Sequence, residues 1–222
     1  MTEAGSLAPR AFVVGWPIAH SRSPLIHGYW LRQFGLAGSY QRLPVEPAAI
    51  QAFLATLRQN GFVGGNVTVP HKEAAFAAAA RHDEVAARLG AANTLWIEGG
   101  ELCAANTDAF GFLANLDACA PGWDRFDGRA VVLGAGGAAR SIVWGLMSRA
   151  KDVAIVNRTV GRAEDLVSRF GGGRAYGWDA LPALLPDARL LVNTTSLGMA
   201  GQVEAPIDLS PLSREALVTD IV

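Results

Sequence analysis

Cysteine is scarce in this 222-residue chain, with Cys103 and Cys119 the only two. Two thiols cannot make a disulfide framework, which excludes the small cross-linked secreted domains and fits a reducing compartment. Cys119 lies in a hydrophobic, helix-like run and is expected to be a small buried side chain. Charge is sparse too, at 18% of residues with a net charge of −1, so there is no electrostatic case for nucleic acid or an anionic membrane as partner. No apolar stretch approaches ~20 residues, and no basic segment followed by a long apolar run opens the chain. A soluble, cytoplasmic protein is the expectation. The four histidines, His20, His27, His71 and His82, lack ligand spacing, so a metal is not indicated. What the chain does have is apolar side chains, half of all residues, enough for a well-buried core. Its length suits two modest domains.

Short apolar runs alternate with helical patterns from end to end. A strand is expected over 10–15, a helix over 25–34 opened by Ser23-Pro24, a strand over 40–45 and a helix over 47–59. A strand follows over 62–69, then mostly helix over 72–89, and a hairpin turning at Gly99-Gly100. A helix over 109–120 leads to Pro121-Gly122, the expected boundary between a domain of 1–120 and one of 121–222. The second series reads strand 129–133, helix 137–149, strand 152–156, helix 160–170, and strands near 175, over 190–193 and over 217–222. This alternation implies two α/β units with parallel sheets covered on both faces, and ligands at the carboxyl ends of their strands.

In the second half, GAGGAAR (134–140) lies directly between a strand and a helix. Gly134, Gly136 and Ala139 meet the pattern G-x-G-x-x-[GA]. That loop supplies a tight turn, close backbone approach to a pyrophosphate and a helix N-terminus aimed at its charge. Glycine loops also serve as plain turns, but here strand, loop and helix occur in the required order. The end of the next strand carries Asn157-Arg158-Thr159, with Arg162 one turn on, where an NAD site usually carries an acid. An acid would repel a 2′-phosphate, whereas Arg158 can pair with one. Two cations are poorly placed at a helix start unless an anion comes with them. NADP is therefore favoured over NAD.

The first half holds three polar clusters. His20-Ser21-Arg22-Ser23-Pro24 sets two hydroxyls at a helix start, where they suit a carboxylate, although Ser23 alone reads equally as an N-cap. In NVTVPHK (66–72), Asn66, Thr68 and Lys72 gather at one strand end. The third cluster is Ala92-Asn93-Thr94 with Asn106-Thr107-Asp108, beside the two arms of the hairpin, where Asn and Asp also serve as turn formers.

Together HSRSPLIH, NVTVPHK, AANT, NTD, GAGGAAR, NRT and NTTS resemble the shikimate dehydrogenases, in order and from about residue 11 to the end of the chain. The resemblance implies an N-terminal α/β substrate domain followed by a Rossmann domain that binds NADP, and reversible reduction of 3-dehydroshikimate to shikimate. It implies that Ser21 and Ser23 hold the substrate carboxylate, and that Asn66, Thr68, Asn93 and Asp108 bind ring hydroxyls. Lys72 and Asp108 would be the catalytic pair. Gly134, Ala135, Gly136, Gly137, Ala138 and Ala139 would cradle the pyrophosphate. Asn157, Arg158, Thr159 and Arg162 would surround the adenosine end, with Thr195 and Ser196 flanking the cofactor. A homodimer stays open. Ala92 stands where the family often has Val, a change expected to be harmless. The chain stops inside what reads as a buried strand, where the family continues with a loop to the nicotinamide and helices returning to the first domain. A fragment, or a chain lacking its tail, is thus expected. Quinate or an amino-substituted shikimate remains an alternative substrate, and a non-catalytic ligand-binding relative an alternative class.

Overall fold

The structure, a computed structural model, describes residues 8–125, 127–149, 151–195, 197 and 207–221. Its contacts separate two units, Met1–Thr107 and Asp108–Val222.

The first unit runs β1 (Arg10–Gly15), α1 (Ser23–Gln33), β2 (Ser39–Pro44), α2 (Ile50–Ala55), β3 (Phe62–Val67), α3 (Lys72–Ala78), β4 (Arg81–His82), α4 (Glu84–Leu89), β5 (Thr94–Glu98) and β6 (Glu101–Ala105). Its sheet has the order β2-β1-β3-β5-β6-β4. β1 pairs in parallel with β2 and β3, but β5 is antiparallel to both β3 and β6. The expected parallel pairing holds for β1, β2 and β3, and the expected hairpin makes the sheet a mixed one. The cause is local: Gly99 and Gly100 both take positive φ, +61° and +88°, and two such residues make the tight turn that forces β5 and β6 into a hairpin.

The stretch expected to be mostly helix over 72–89 is so in α3 and α4, with a break between them. Ala79 is extended, and Ala80 and Asp83 donate backbone N–H bonds to Leu102 and Ala104, drawing the chain into β4 beside β6. Asp83 then caps α4, its carboxylate accepting from Ala86 N at 2.6 Å.

The chain steps from β1 to β2 on one side and from β2 to β3 on the other, so right-handed crossovers put α1 and α2 on opposite faces. The core forms on the α2 face, where Phe12, Val14, Ile50, Leu54, Leu57, Phe62 and Leu95 pack and Phe12 meets Phe53 and Phe62 edge-on. α1 buries no residue, and its Leu25 and the following Phe34 are 66% and 67% exposed. Among the described residues, tight coverage of both faces does not hold for this sheet.

It does hold for the second. After α5 (Asp108–Cys119) come β7 (Arg129–Leu133), α6 (Gly137–Ser148), β8 (Asp152–Val156), α7 (Val160–Phe170), β9 (Arg174–Tyr176), α8 (Leu181–Leu184), β10 (Ala188–Asn193) and β11 (Leu217–Asp220). The order is β11-β10-β7-β8-β9, parallel throughout. Alternation sends Ala130, Val132, Val153, Ile155 and Val192 to one face with Ile142, Val143, Leu146 and Leu166. Val131, Leu133, Ala154, Val156 and Leu191 go to the other, with Leu181, Leu184 and Leu185.

α5 lies in this second unit, where Leu116 joins the first of these cores, so the contact division falls one helix before Pro121-Gly122. Cys119, expected to be buried, is exposed: α5 turns Phe112, Leu113 and Leu116, with Ala120 just beyond, toward that core. β11, read as a buried strand, alternates half-buried Leu217 and Thr219 with exposed Val218 and Asp220.

Candidate active site

In an open sheet, the crevice forms where successive strands depart to opposite sides, at their carboxyl ends. In the first unit that place is between β1 and β3. Because β5 runs antiparallel to β3, its start lies at the same edge, with Asn66 opposite Thr94, and Thr94 opposite the last residue of β6, Ala105. The segments after β1, after β3, before β5 and after β6 therefore meet at one rim. Three clusters scattered over the sequence become neighbours through register alone.

At the first segment, the N-cap of α1 is Arg22, with no side-chain capping bond, so Ser23 is the first helical residue rather than the cap. Its backbone N–H donates to Ser21 Oγ at 3.3 Å, and the two hydroxyl oxygens are also 3.3 Å apart. Pro24 has no N–H, and Leu25 and Ile26 already donate to the Arg22 carbonyl. Hydroxyls, more than backbone amides, are what this helix start offers an anion. Arg42 of β2 holds the loop by donating from Nε to the Ser21 carbonyl at 2.7 Å.

At the second, Thr68 extends the β3 ladder by donating its N–H to Val14 O at 2.9 Å. A Cβ on Gly15 would lie 2.5 Å from Thr68 Cγ2, so the two strand ends touch. Lys72 is the first residue of α3, and its carbonyl accepts from Ala92 N at 2.9 Å, which ties α3 to the segment before β5. Buried His71 fixes the turn in between through a 2.8 Å contact from Nε2 to Val45 O.

The amides form one network. Asn93 Oδ1 accepts from Thr107 N at 3.1 Å and Thr94 Oγ1 at 2.8 Å, while its Nδ2 donates to Thr107 Oγ1 at 3.0 Å. Asn66 Nδ2 lies 3.4 Å from both Asn93 O and Thr94 Oγ1, and Asn66 Oδ1 accepts from Tyr40 Oη at 2.5 Å. Buried Asn106 closes the rim by donating to Ala91 O at 3.0 Å. Asp108 is the first residue of α5, in the second unit.

The second unit has its own departure point, between β7 and β10. Gly134 follows β7 with φ +104°, a conformation that disfavours any side chain, and a Cβ there would come within 2.7 Å of Thr194 Oγ1 after β10. Its N–H donates to Val156 O at 2.8 Å. At Gly136 and Gly137 a Cβ would meet nothing within 4 Å, so space lies open over the start of α6. Ala135 in the loop and Ala138 in the first turn of α6 are half-buried, and Ala139 is fully buried, packing α6 onto the sheet. Across the crevice Asn193 orders the turn: its Oδ1 accepts from Thr195 N at 3.0 Å and Thr195 Oγ1 at 2.7 Å. Ser196 lies outside the described residues.

After β8, Asn157 Nδ2 donates to Thr159 O at 2.8 Å, and Thr159 is the N-cap of α7 without a side-chain capping bond. The first turn of α7 contains no acid. Arg158 and Arg162 are exposed there, with no ion pair among the described residues. A glycine cradle left open, a helix start and two adjacent cations fit a dinucleotide carrying an additional phosphate. Among the described residues no group of three or more His, Cys, Asp or Glu can hold a metal ion. None of the described helices is long and apolar enough to cross a membrane.

The model of the shikimate dehydrogenase substrate-binding domain matches residues 13–95, and that of the shikimate/quinate 5-dehydrogenases matches 123–200. A shikimate dehydrogenase (NADP(+)) of Brucella canis is 57% identical over 218 residues, covering 96% of this chain and 75% of the relative. The chain belongs to the shikimate dehydrogenase family. Another member, from Methylocella silvestris, is 56% identical over 97% of this chain and 77% of its own. Among solved structures, the shikimate 5-dehydrogenase of Thermus thermophilus, in complex with NADP(H) and shikimate, superposes with a TM-score of 0.84 at 36% identity, covering 96% of this chain and 78% of that one.

Sequence reasoning missed several residues of this shikimate dehydrogenase rim. Tyr40 and Arg42 sit on β2, whose neighbours at the rim are set by strand order. The available signal was polar residues at alternate positions of SYQRLP, where a buried strand would carry apolar ones. Asn193, which organises the loop after β10, opens the NTTS motif, but the motif points first to the hydroxyls behind it.

Proposed function

We propose that this chain catalyses the reversible, NADPH-dependent reduction of 3-dehydroshikimate to shikimate in aromatic amino-acid biosynthesis. What supports the reading is the strand register, which brings the segments carrying Ser21, Ser23, Asn66, Thr68, Lys72 and Asn93, and so two serines, a threonine, two carboxamide residues and a lysine, to one rim of the first unit. That donor set suits a small polyol acid. Relatives 57% and 56% identical to the chain carry this activity in their names.

The reaction adds a hydride to the C3 ketone carbon and a proton to its oxygen. NADPH, when bound, supplies the hydride. Ser21 and Ser23 donate to the substrate carboxylate, and Asn66, Thr68 and Asn93 orient the ring through its hydroxyls. Lys72 delivers a proton to the developing alkoxide and takes one in the reverse direction, its charge favouring the oxyanion in between. Asp108 accepts from a ring hydroxyl and shares in the proton chemistry. The 134–139 segment holds the pyrophosphate, and Thr195 flanks the cofactor. Asn157, Arg158, Thr159 and Arg162 hold the adenosine end and its 2′-phosphate.

The description of the second family model also covers quinate 5-dehydrogenases, and this favours quinate as a second reading. The deciding experiment follows NADPH absorbance with shikimate, quinate and an amino-substituted shikimate, each with NADP⁺ and NAD⁺. Turnover selective for shikimate and NADP⁺ supports the proposal, and selectivity for another acid replaces it. Affinity for both ligands without turnover identifies a non-catalytic relative. We place the protein in the cytoplasm, since both thiols are free. A homodimer is the assembly to test, by light scattering of the same sample.

A further inference from the structure

Hydrogen-bond bookkeeping at the substrate rim has one consistent solution. The Asn93 carbonyl oxygen can only accept, so the Asn66 atom facing it at 3.4 Å must be the amide nitrogen. Asn66 Oδ1 therefore faces Tyr40, and the phenol must be the donor in the 2.5 Å contact between them. The remaining Asn66 contacts, both at 3.4 Å, lie beyond the usual N–H···O range. Among the described residues, Tyr40 is thus the one strong tie on this carboxamide.

The phenol is itself held in place. Its ring stacks on His27 of α1, with centroids 4.0 Å apart and planes 5° from parallel, and His27 meets Trp30 edge-on. Burial raises the Tyr40 pKa to about 12, so the hydroxyl keeps its proton at any ordinary pH. Burial also lowers the His27 pKa, which favours a neutral stacking partner.

We propose that Tyr40 is a positioning residue for substrate: its O–H locks the Asn66 carboxamide with the nitrogen turned into the rim, so that Asn66 meets the ligand as a donor to a ring hydroxyl oxygen. Without the phenol hydroxyl, the carboxamide is free to flip and present its oxygen instead. This inference rests on the reading of Asn66 as a substrate contact.

Calorimetric titration of shikimate into the full chain tests it, with Tyr40→Phe, Asn66→Ala, their double variant and Asn66→Asp. Tyr40→Phe keeps the ring and its stacking, so melting temperature and NADP affinity should match the unaltered protein. Shikimate affinity should fall about 10-fold, the scale of one lost hydrogen bond. The double variant should bind no more weakly than Asn66→Ala alone. Asn66→Asp can accept from Tyr40 but has no N–H, and should lose at least as much as Asn66→Ala. With deoxy analogues lacking each ring hydroxyl in turn, the Tyr40→Phe penalty should vanish for one analogue, the same one for which Asn66→Ala costs nothing. Unchanged affinity in Tyr40→Phe, additive losses, or an equal penalty on every analogue overturns the proposal while leaving Asn66 as a contact. Equal shikimate affinity in Asn66→Ala and the unaltered protein overturns the underlying reading as well.

Discussion

In the proposed reaction, Lys72 is the residue on which the chemistry would depend most directly. A positioned proton donor contributes roughly 10²–10⁴-fold, so Lys72→Ala should lower kcat by at least ~10²-fold in the shikimate assay. Near-normal turnover would remove Lys72 from the proton path. Arg158 is the matching case in the second unit. It is exposed beside Thr159 at the start of α7, in a first turn without an acid, and only an added anion makes that placement favourable. Arg158→Ala should weaken NADP binding by about 10-fold or more, the scale of a charge-assisted bond, and leave NAD binding nearly unchanged. Equal losses for the two nucleotides would mean that the arginine does not read the 2′-phosphate. Lys72 and Arg158 were legible in the sequence as candidates because each follows an identifiable strand within a few residues. Tyr40 was not, since its partner Asn66 is 26 residues away and reachable only across β1. Local patterns carry periodicity but not strand order.

Among the elements, the loop between β7 and α6 separates two demands that the glycine pattern merges. Gly134 is required by the fold: its φ of +104°, and the Thr194 hydroxyl 2.7 Å from where a Cβ would stand, leave no room for a side chain. Gly134→Ala should cost about 2 kcal/mol of stability in denaturant titration. Gly136, with φ −91° and open space around it, tolerates a methyl sterically. Gly136→Ala should leave stability within about 0.5 kcal/mol, the range of neutral surface changes, yet weaken NADP, because the methyl stands where the pyrophosphate approaches. Reversal of these two effects would contradict the placement of the nucleotide over α6. Most elements could be read from alternation and turn residues, including this strand–loop–helix unit. The break between α3 and α4 could not. The alanines at 77–80 favour helix by propensity, but Ala80 and Asp83 bond to Leu102 and Ala104, which are distant in sequence. Pairing with β6 overrides the local preference.

For the whole molecule, alternating elements were enough to announce two α/β units, though not to place α5. The apolar stripe of that helix reads the same whichever sheet it covers, and only its packing with α6, whose Gly145 it meets through Leu113, assigns it to the second unit. The buried clusters follow the same division. Phe12, Val14 and Leu57 belong to one cluster in the first unit, while Val132, Ile155 and Val192, and on the other face Val131 and Leu191, belong to clusters in the second. Separate cores imply separate opening reactions, each stabilised by the ligand its own unit holds. At a hundredfold excess over Kd, a ligand adds about 2.7 kcal/mol to the stability of the state that binds it. Saturating NADP should therefore slow amide hydrogen exchange about 100-fold in β7, β8 and β10, with little change in β1 and β3. Saturating shikimate should do the reverse. If either ligand alone slows exchange equally in both sets of strands, the two units open as one, and the division by contacts is not a division in stability.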